Sequence, residues 1–517
     1  MSTPSSSATA AGAPLRGPLL WFAAIVLATA NFVAVLDMTI ANVSVASITG
    51  SLGISSSQGT WIITSYAVAE AIIVPLTGWL AGRFGAVRVF ATSMALFGLF
   101  SALCGMAGAL EMLVLGRVLQ GLAGGPLMPL SQTLLLRVFP AEKATAATAL
   151  WAMTTLVAPV AGPILGGWLC DNYAWPVIFT INIPIALACS VVAWRLLRRY
   201  EQALERKPID LVGLALLIVF VGALQLMLDL GKEHDWFEST LICVLAVVAA
   251  VGFCAFLIWE LTEAHPIVDL RVFRHRGFVV GVVTLALGYG AFFGANVLTP
   301  LWLQSWMGYT ATWAGMTTAW TGVLAIVCAP VAGGLMSKLG VDPRRLIFAG
   351  VLWIGLVTAL RSLSTTDMAY WQIAIPLLVT GIGMPFFFVP VTALGLGCVE
   401  EDETASAAGL MSFLRTLSGA VATSLVTTGW EDRTSVMHAE LAGVVDATGE
   451  TARTLSASGL GPDAVRESLD RLLQSQSVML ATNEMMGLVA ASFLLAALVI
   501  WLAPKPRRGF DIAQASH

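Results

Sequence analysis

The sequence predicts an all-α, polytopic membrane protein of fourteen transmembrane helices, built as two six-helix halves with two inserted helices. Three observations predict it. First, 57% of the 517 residues are hydrophobic and only 11% are charged, where soluble domains carry about 25% charged residues. Second, a membrane helix needs about 20 mainly apolar residues, and fourteen such runs occur. They lie near residues 19–40, 60–81, 88–108, 112–135, 146–169, 175–196, 209–229, 240–261, 277–303, 313–336, 345–363, 371–396, 405–428 and 483–503. Third, GWLAGRFG at residues 78–85 returns as GGLMSKLG at residues 333–340. Gly78, Leu80, Arg83 and Gly85 match Gly333, Leu335, Lys338 and Gly340 in spacing. The copies follow spans two and ten, an offset that two six-helix halves plus two inserted spans explain. Parallel repeats of this kind mark transporters.

Lys and Arg set the orientation, because cytoplasmic connections carry their excess. With the N-terminus in the cytoplasm, one side receives Arg83 and Arg88, Arg137 and Lys143, and the cluster Arg195, Arg198, Arg199, Arg206, Lys207. It also receives Arg271, Arg274, Arg276, then Lys338, Arg344, Arg345, then Lys505, Arg507, Arg508. The short connections on the other side hold little beyond Lys232. An odd number of spans would spoil this asymmetry.

The predicted order is a cytoplasmic tail (residues 1–18), an N-terminal half (19–197), a charged linker with the two inserted helices (198–262), a C-terminal half (263–503) and a second cytoplasmic tail (504–517). The first apolar run is too long, and followed by too many others, to be a cleaved signal peptide. The C-terminal half carries a polar extracytoplasmic segment at about residues 430–482. In it, PDAVRESLDRLLQSQSVML spaces Val465, Leu469, Leu472 and Leu473 along one face of an amphipathic helix. That helix lies on the membrane surface or on a partner.

Several function classes are excluded. The seven cysteines form no CxxC pair, and the five histidines all fall in polar connections, so an intramembrane metalloprotease is not expected. No enzyme activity, cofactor, metal or nucleic-acid partner is expected. A GxxxxGK[ST] loop is absent, which removes ATP as the energy source. The proton gradient remains.

The chemistry of the membrane helices centres on Asp37, in NFVAVLDMTIAN at residues 31–42. A charge at the bilayer centre costs at least ~2.5 kcal/mol and usually faces a cavity, a partner or a proton path. Asp37 falls about eighteen residues into span one, nearer its outer end; capping a helix in the outer interface is its structural alternative. Glu70 falls about nine residues into span two from Trp61, about 13–14 Å deep at 1.5 Å per residue. The two are the expected proton carriers, an outer and an inner station; a permanently protonated, hydrogen-bonded Glu70 is the alternative. LGRVLQGLAGGP (residues 115–126) places Arg117 and Gln120 in span four. A buried arginine needs an anionic partner or water, and either Asp37 or Glu70 could serve. Arg415 in span thirteen needs one too, either substrate or backbone carbonyls. Asn42, Gln120, Met384, Phe387 and Arg415 are the residues expected to line a substrate cavity. Met384 and Phe387 lie in GIGMPFFFVP (residues 381–390), where Met and aromatic side chains suit adaptable apolar binding or lipid-facing bulk. In span five, Pro159 and Pro163 can kink the helix, and Gly162, Gly166 and Gly167 let another helix pack closely.

These stretches resemble the major facilitator superfamily, and within it the fourteen-helix drug:proton antiporters of the EmrB/QacA type, the EmrB branch above all. LDMTIANV (residues 36–43), SQGTWIITSYAVAEAIIVPLTGWL (57–80), APVAGPILGG (158–167) and WELTEAHPIVDL (259–270) carry the likeness over almost the whole chain. The resemblance implies a proton-driven exporter of hydrophobic or amphipathic compounds, working by alternating access in a bacterial inner membrane. It implies a periplasmic adaptor and an outer-membrane channel as partners. A dedicated exporter of a fatty acid, siderophore or other metabolite is the second reading, and a non-transporting scaffold or sensor the third. The resemblance gives Arg117 a part in proton transfer, and gives the glycines and prolines of span five a part in antiport. It also gives Gly78, Arg83, Gly85 and Arg88 a conformational role in the loop after span two. This chain departs from the pattern there: Gly82 stands where an aspartate is usual, and Ala86 and Val87 where basic residues are usual.

Overall fold

A computed structural model describes residues 17–505 except 55, 141–143, 202–209, 232–233, 265, 338, 401–402, 445–452, 454–456 and 458–460. Among the described residues every regular element is a helix. In order they are α1 (Pro18–Leu52), α2 (Ser56–Ile73), α3 (Thr77–Phe84), α4 (Ala86–Gly105), α5 (Leu110–Gly124), α6 (Leu127–Val138), α7 (Ala144–Asn172), α8 (Val177–Thr180) and α9 (Asn182–Leu197). Then come α10 (Leu211–Leu230), α11 (Thr240–Thr262), α12 (Arg276–Ser305), α13 (Ala311–Ser337), α14 (Pro343–Arg361), α15 (Tyr370–Leu396), α16 (Thr404–Val444) and α17 (Pro462–Val499).

Among the described residues, twelve segments are long and apolar enough to cross a membrane, and the bent pair α2–α3 makes a thirteenth. Helix α7 has 29 residues and no charged residue from Ala144 to Cys170, a length and composition that suit a further span. Two spans are broken where the sequence forces it. Pro75 lacks an N–H and its ring crowds the carbonyl four residues back, and α2 and α3 meet there at 58°. Gly125 and Pro126 separate α5 from α6. Helix α1 ends at Gly53, whose φ of 65° is the left-handed cap that glycine adopts without strain.

The helices α1–α9 pack mainly on one another, as do α12–α17. The two groups meet along two seams. At one, α7 packs on α13 and α15; at the other, α3 and α6 pack on α16. A Cβ on Gly78 of α3 would lie 3.3 Å from Ser406 Oγ of α16, so the ends of spans two and thirteen on the side of the basic loops touch. The inserted pair α10–α11 covers the second seam. Helix α10 packs on both α2 and α16, and the Ser424 hydroxyl of α16 donates to the Leu228 carbonyl of α10 at 2.9 Å.

The WELTEAHPIVDL stretch closes the inserted pair. The Trp259 indole N–H donates to Asp210 Oδ2 at 2.8 Å, while Asp210 Oδ1 accepts the amides of Val212 and Gly213 and caps α10. Glu260 accepts the Val268 amide at 3.2 Å.

Two sequence expectations change. The amphipathic helix is not a separate surface element: α17 runs unbroken for 38 residues from Pro462 into the last span. Helix α16 likewise, with 41 residues in all, continues to Val444, past its expected end near residue 428. Trp430 and Thr482 (2.8 Å), Arg433 and Glu484 (3.0 Å), and His438 and Asp470 (3.5 Å) link the two. The segment is therefore an antiparallel helical hairpin continuous with spans thirteen and fourteen. Of its apolar stripe, Val465 and Leu469 are buried and Leu472 is exposed. Second, α1 runs 35 residues, to Leu52, so Asp37 sits in mid-helix and not near an end; a capping role is ruled out.

Candidate functional site

Asp37 lies at the centre of a closed polar network inside the first bundle. Its side chain and that of Arg117 are each 1% exposed, and Arg117 Nη1 donates to Asp37 Oδ2 at 2.6 Å. Asp37 Oδ1 accepts from Gln120 Nε2 at 2.9 Å and from Asn182 Nδ2 at 2.6 Å. Gln120 also donates to Ser101 Oγ at 2.8 Å and accepts from Arg117 at 2.7 Å. Arg117 Nε donates to the Ile62 carbonyl at 3.0 Å, and its guanidinium lies 4.2 Å from the Tyr66 ring centroid. Five helices converge: α1 supplies Asp37, α2 Ile62 and Tyr66, α4 Ser101, α5 Arg117 and Gln120, and α9 Asn182. A buried ion pair is tolerable only when its remaining donors and acceptors are met; here both Asp37 oxygens and Arg117 Nε and Nη1 are met. Of the two carboxylates open to Arg117, it is Asp37 that binds it.

Glu70 and Arg415 occupy a different place, the seam between the bundles. Glu70 lies near the end of α2, just before the break at Pro75, and Arg415 lies in α16; both are buried. No ion pair joins the two among the described residues. Glu70 Oε2 and Arg415 Nε and Nη2 have no hydrogen-bond partner among the described residues. The Arg415 guanidinium rests instead on two aromatic rings from opposite bundles, 5.2 Å from Trp151 of α7 and 5.4 Å from Tyr289 of α12. Buried polar atoms left open are costly unless something else meets them. Here they come from both bundles, Glu70 from α2 and Arg415 from α16.

Around this seam the other expected residues sort themselves. Met384 and Phe387 are buried at 1% and 0% exposure; Phe387 fills the space left by Gly288 of α12, so neither faces lipid. Its neighbour Phe388 is the one that meets Tyr289, edge to face at 6.0 Å. The side chains of Asn42, Pro159 and Pro163 lie outside the described residues. Gly162 and Gly166 do hold α7 against α1. A Cβ on Gly162 would strike Thr39, and one on Gly166 would lie 3.2 Å from the Ile40 carbonyl. Gly167 is buried on the same helix.

In the loop after span two, Arg83 and Arg88 are exposed. A carboxylate reaches this loop from elsewhere in the chain. Glu201, just past span six, accepts the amides of Val87 (3.1 Å) and Arg88 (3.0 Å) at the start of α4. A carboxylate is favoured at a helix N-terminus. Gly85 has a φ of 95°, and a Cβ there would collide with that carboxylate.

The sequence reading missed Tyr66, Ser101, Asn182, Trp151, Tyr289 and Glu201. Asn182 carried a signal, a lone amide inside an apolar run. The others are residue types common in any helix bundle or loop.

Comparison with known proteins fits this architecture. Residues 27–423 match the Major Facilitator Superfamily. The chain belongs to that superfamily. It is 42% identical over 498 residues to Multidrug export protein EmrB of Escherichia coli (strain K12), covering 95% of this chain and 97% of that protein. It is 41% identical over 497 residues to Fatty acid resistance protein FarB of Neisseria gonorrhoeae, covering 95% and 98%. Among solved structures, the proton:xylose symporter XylE aligns with a TM-score of 0.58 at 13% identity, covering 94% of this chain and 96% of that one. That likeness concerns the fold alone. EmrB and FarB as relatives place this superfamily member on the EmrB branch.

Proposed function

We propose that this protein is a proton-driven exporter of hydrophobic or amphipathic compounds in a bacterial inner membrane, with both termini cytoplasmic. Residues 19–197 and 263–503 act as two halves that rock about a central cavity, and residues 198–262 bridge them. The observation that carries the reading is the pairing of a closed ion pair within one bundle with open charges at the seam. A protonatable carboxylate bound to arginine, Asp37 with Arg117, can change the packing of five helices when it takes up a proton. Glu70 and Arg415 sit where a substrate held between the halves would meet both. The multidrug exporter EmrB as a relative supports this reading. The fatty acid resistance protein FarB as a relative supports a dedicated exporter of amphipathic acids as the second.

As in EmrB-type pumps, the hairpin of α16 and α17 would meet a periplasmic adaptor that leads to an outer-membrane channel. The test is drug-induced proton movement in inverted vesicles, comparing wild type with Asp37→Asn and Glu70→Gln. Loss of exchange in Asp37→Asn is expected; full, pH-dependent exchange would overturn the mechanism.

A further inference from the structure

On the outside of the first bundle, at the level of the basic loops, spans three and six border an open pocket of about 370 Å³. It is lined by Arg88 of α4, Trp194 of α9, and Arg198, Arg199 and Glu201 just past α9. One water takes up about 30 Å³ of the liquid, so the space suits a headgroup and not a lone ion. The two helices touch one turn further in, where the Ser190 hydroxyl donates to the Ala91 carbonyl at 2.6 Å.

The pocket is positively charged. Its three arginines are exposed, and none of their guanidinium groups has an ion-pair partner among the described residues. The one carboxylate is engaged elsewhere: Glu201 accepts the amides of Val87 and Arg88 at 3.1 and 3.0 Å.

Below the arginines both helices turn apolar on the same outer face. On α9, Leu187, Val191, Trp194 and Arg198 recur every three or four residues, the spacing of one helix face, and all four are exposed. On α4, Leu99 lies eleven residues from Arg88 on nearly the same face and is exposed. That separation is about 16 Å at 1.5 Å per residue, roughly half the hydrocarbon core of ~30 Å. Two apolar tracks thus run from the pocket toward the middle of the bilayer.

We propose that this pocket holds the headgroup of an anionic phospholipid from the leaflet on the side of the basic loops. The phosphate meets Arg198 and Arg199, with Arg88 across the pocket, because a guanidinium fork offers two parallel N–H groups to phosphate oxygens. The glycerol backbone lies level with Trp194, a ring type that favours the membrane interface. The acyl chains follow Val191 and Leu187 on one side and Leu99 on the other. Those tracks select a lipid over dissolved phosphate, which would gain nothing from them. Binding of this kind does not depend on the transport reading, since it concerns the resting protein.

The test is native mass spectrometry of the full-length protein released from neutral detergent micelles, counting retained lipids during titration. Phosphatidylglycerol is expected to bind about tenfold more tightly than phosphatidylcholine of the same acyl chains. Glycerol phosphate, the headgroup without chains, neither stays bound nor displaces the lipid. Arg198→Gln/Arg199→Gln lowers phosphatidylglycerol affinity about tenfold and leaves phosphatidylcholine unchanged, while Arg198→Lys/Arg199→Lys keeps part of the preference. Arg271→Gln/Arg345→Gln removes the same charge from exposed positions beside the second bundle and keeps wild-type affinity. The proposal is overturned if phosphatidylglycerol binds no better than phosphatidylcholine, if Arg198→Gln/Arg199→Gln retains it as fully as wild type, if Arg271→Gln/Arg345→Gln loses as much, or if glycerol phosphate displaces the lipid.

Discussion

Arg117 donates to Asp37 at 2.6 Å inside a bundle where both side chains are all but sealed from solvent. Neither charge can be removed alone without leaving the other buried and uncompensated, which costs ~3–5 kcal/mol in comparable pairs. Asp37→Asn therefore lowers the unfolding midpoint as well as abolishing proton exchange. The double variant Asp37→Asn/Arg117→Gln separates the effects. With no charge left to compensate, it regains most of the lost stability but no proton exchange. Thermal unfolding and vesicle proton flux, read side by side, check this; recovery of flux in the double variant would deny Asp37 its role.

Glu70 and Arg415 predict a charge preference. Glu70→Gln leaves Arg415 as the only charge of the pair, so export of cationic compounds falls by tenfold or more while export of anionic amphipaths is kept or improved. Arg415→Gln does the reverse. Uptake into inverted vesicles of a cationic and an anionic fluorescent compound measures both. An equal loss for both compounds in each variant would show a structural role in place of a selective one.

Gly162 predicts a steric effect with a built-in control. Valine at position 162 would drive into Thr39 of α1, and overpacking of this kind costs ~1–3 kcal/mol. Gly162→Val inserts normally but loses or leaks transport. Adding Thr39→Ala removes the atoms that the new branch strikes and restores part of the activity. Without any rescue, the contact with Thr39 is not what the glycine serves.

The class of fold was readable because bilayer thickness dictates helix length, and the repeated GWLAGRFG and GGLMSKLG exposed the doubled architecture. Asp37 and Arg117 stood out because charges inside apolar runs are rare, and the structure joins them. What could not be read is which charges pair, since Glu70 was as open to Arg117 by sequence as Asp37 was. Partners set by packing angle also stayed hidden. Glu201 docks on the first residues of α4 from 113 or more positions away in sequence. Trp151 and Tyr289 flank Arg415 from separate bundles. The polar stretch after span thirteen read as an extracytoplasmic loop holding a separate amphipathic helix because hydropathy falls there, although helix propensity does not: the same Glu, Arg and Gln residues that end a hydrophobic run continue a helix readily.

That continuation yields the last prediction. Helix α16 has 41 residues, about 62 Å at 1.5 Å per residue, against a hydrocarbon core of about 30 Å. Roughly half of it must stand outside the membrane, with the first part of α17 beside it. The base of this hairpin is held by the buried Trp430–Thr482 hydrogen bond and by Arg433–Glu484. Beyond it, the side-chain links among the described residues thin to the His438–Asp470 pair. Replacing residues 440–475 with a short turn leaves the base intact, so the membrane bundle keeps its fold and its unfolding midpoint. Compound-driven proton exchange in vesicles then persists near the wild-type rate. Resistance of whole cells is lost, because export past the periplasm needs a docking surface that vesicle transport does not. If the shortened protein still confers resistance, the hairpin is not where the adaptor binds. If vesicle exchange is also lost, the hairpin acts on the transport cycle itself.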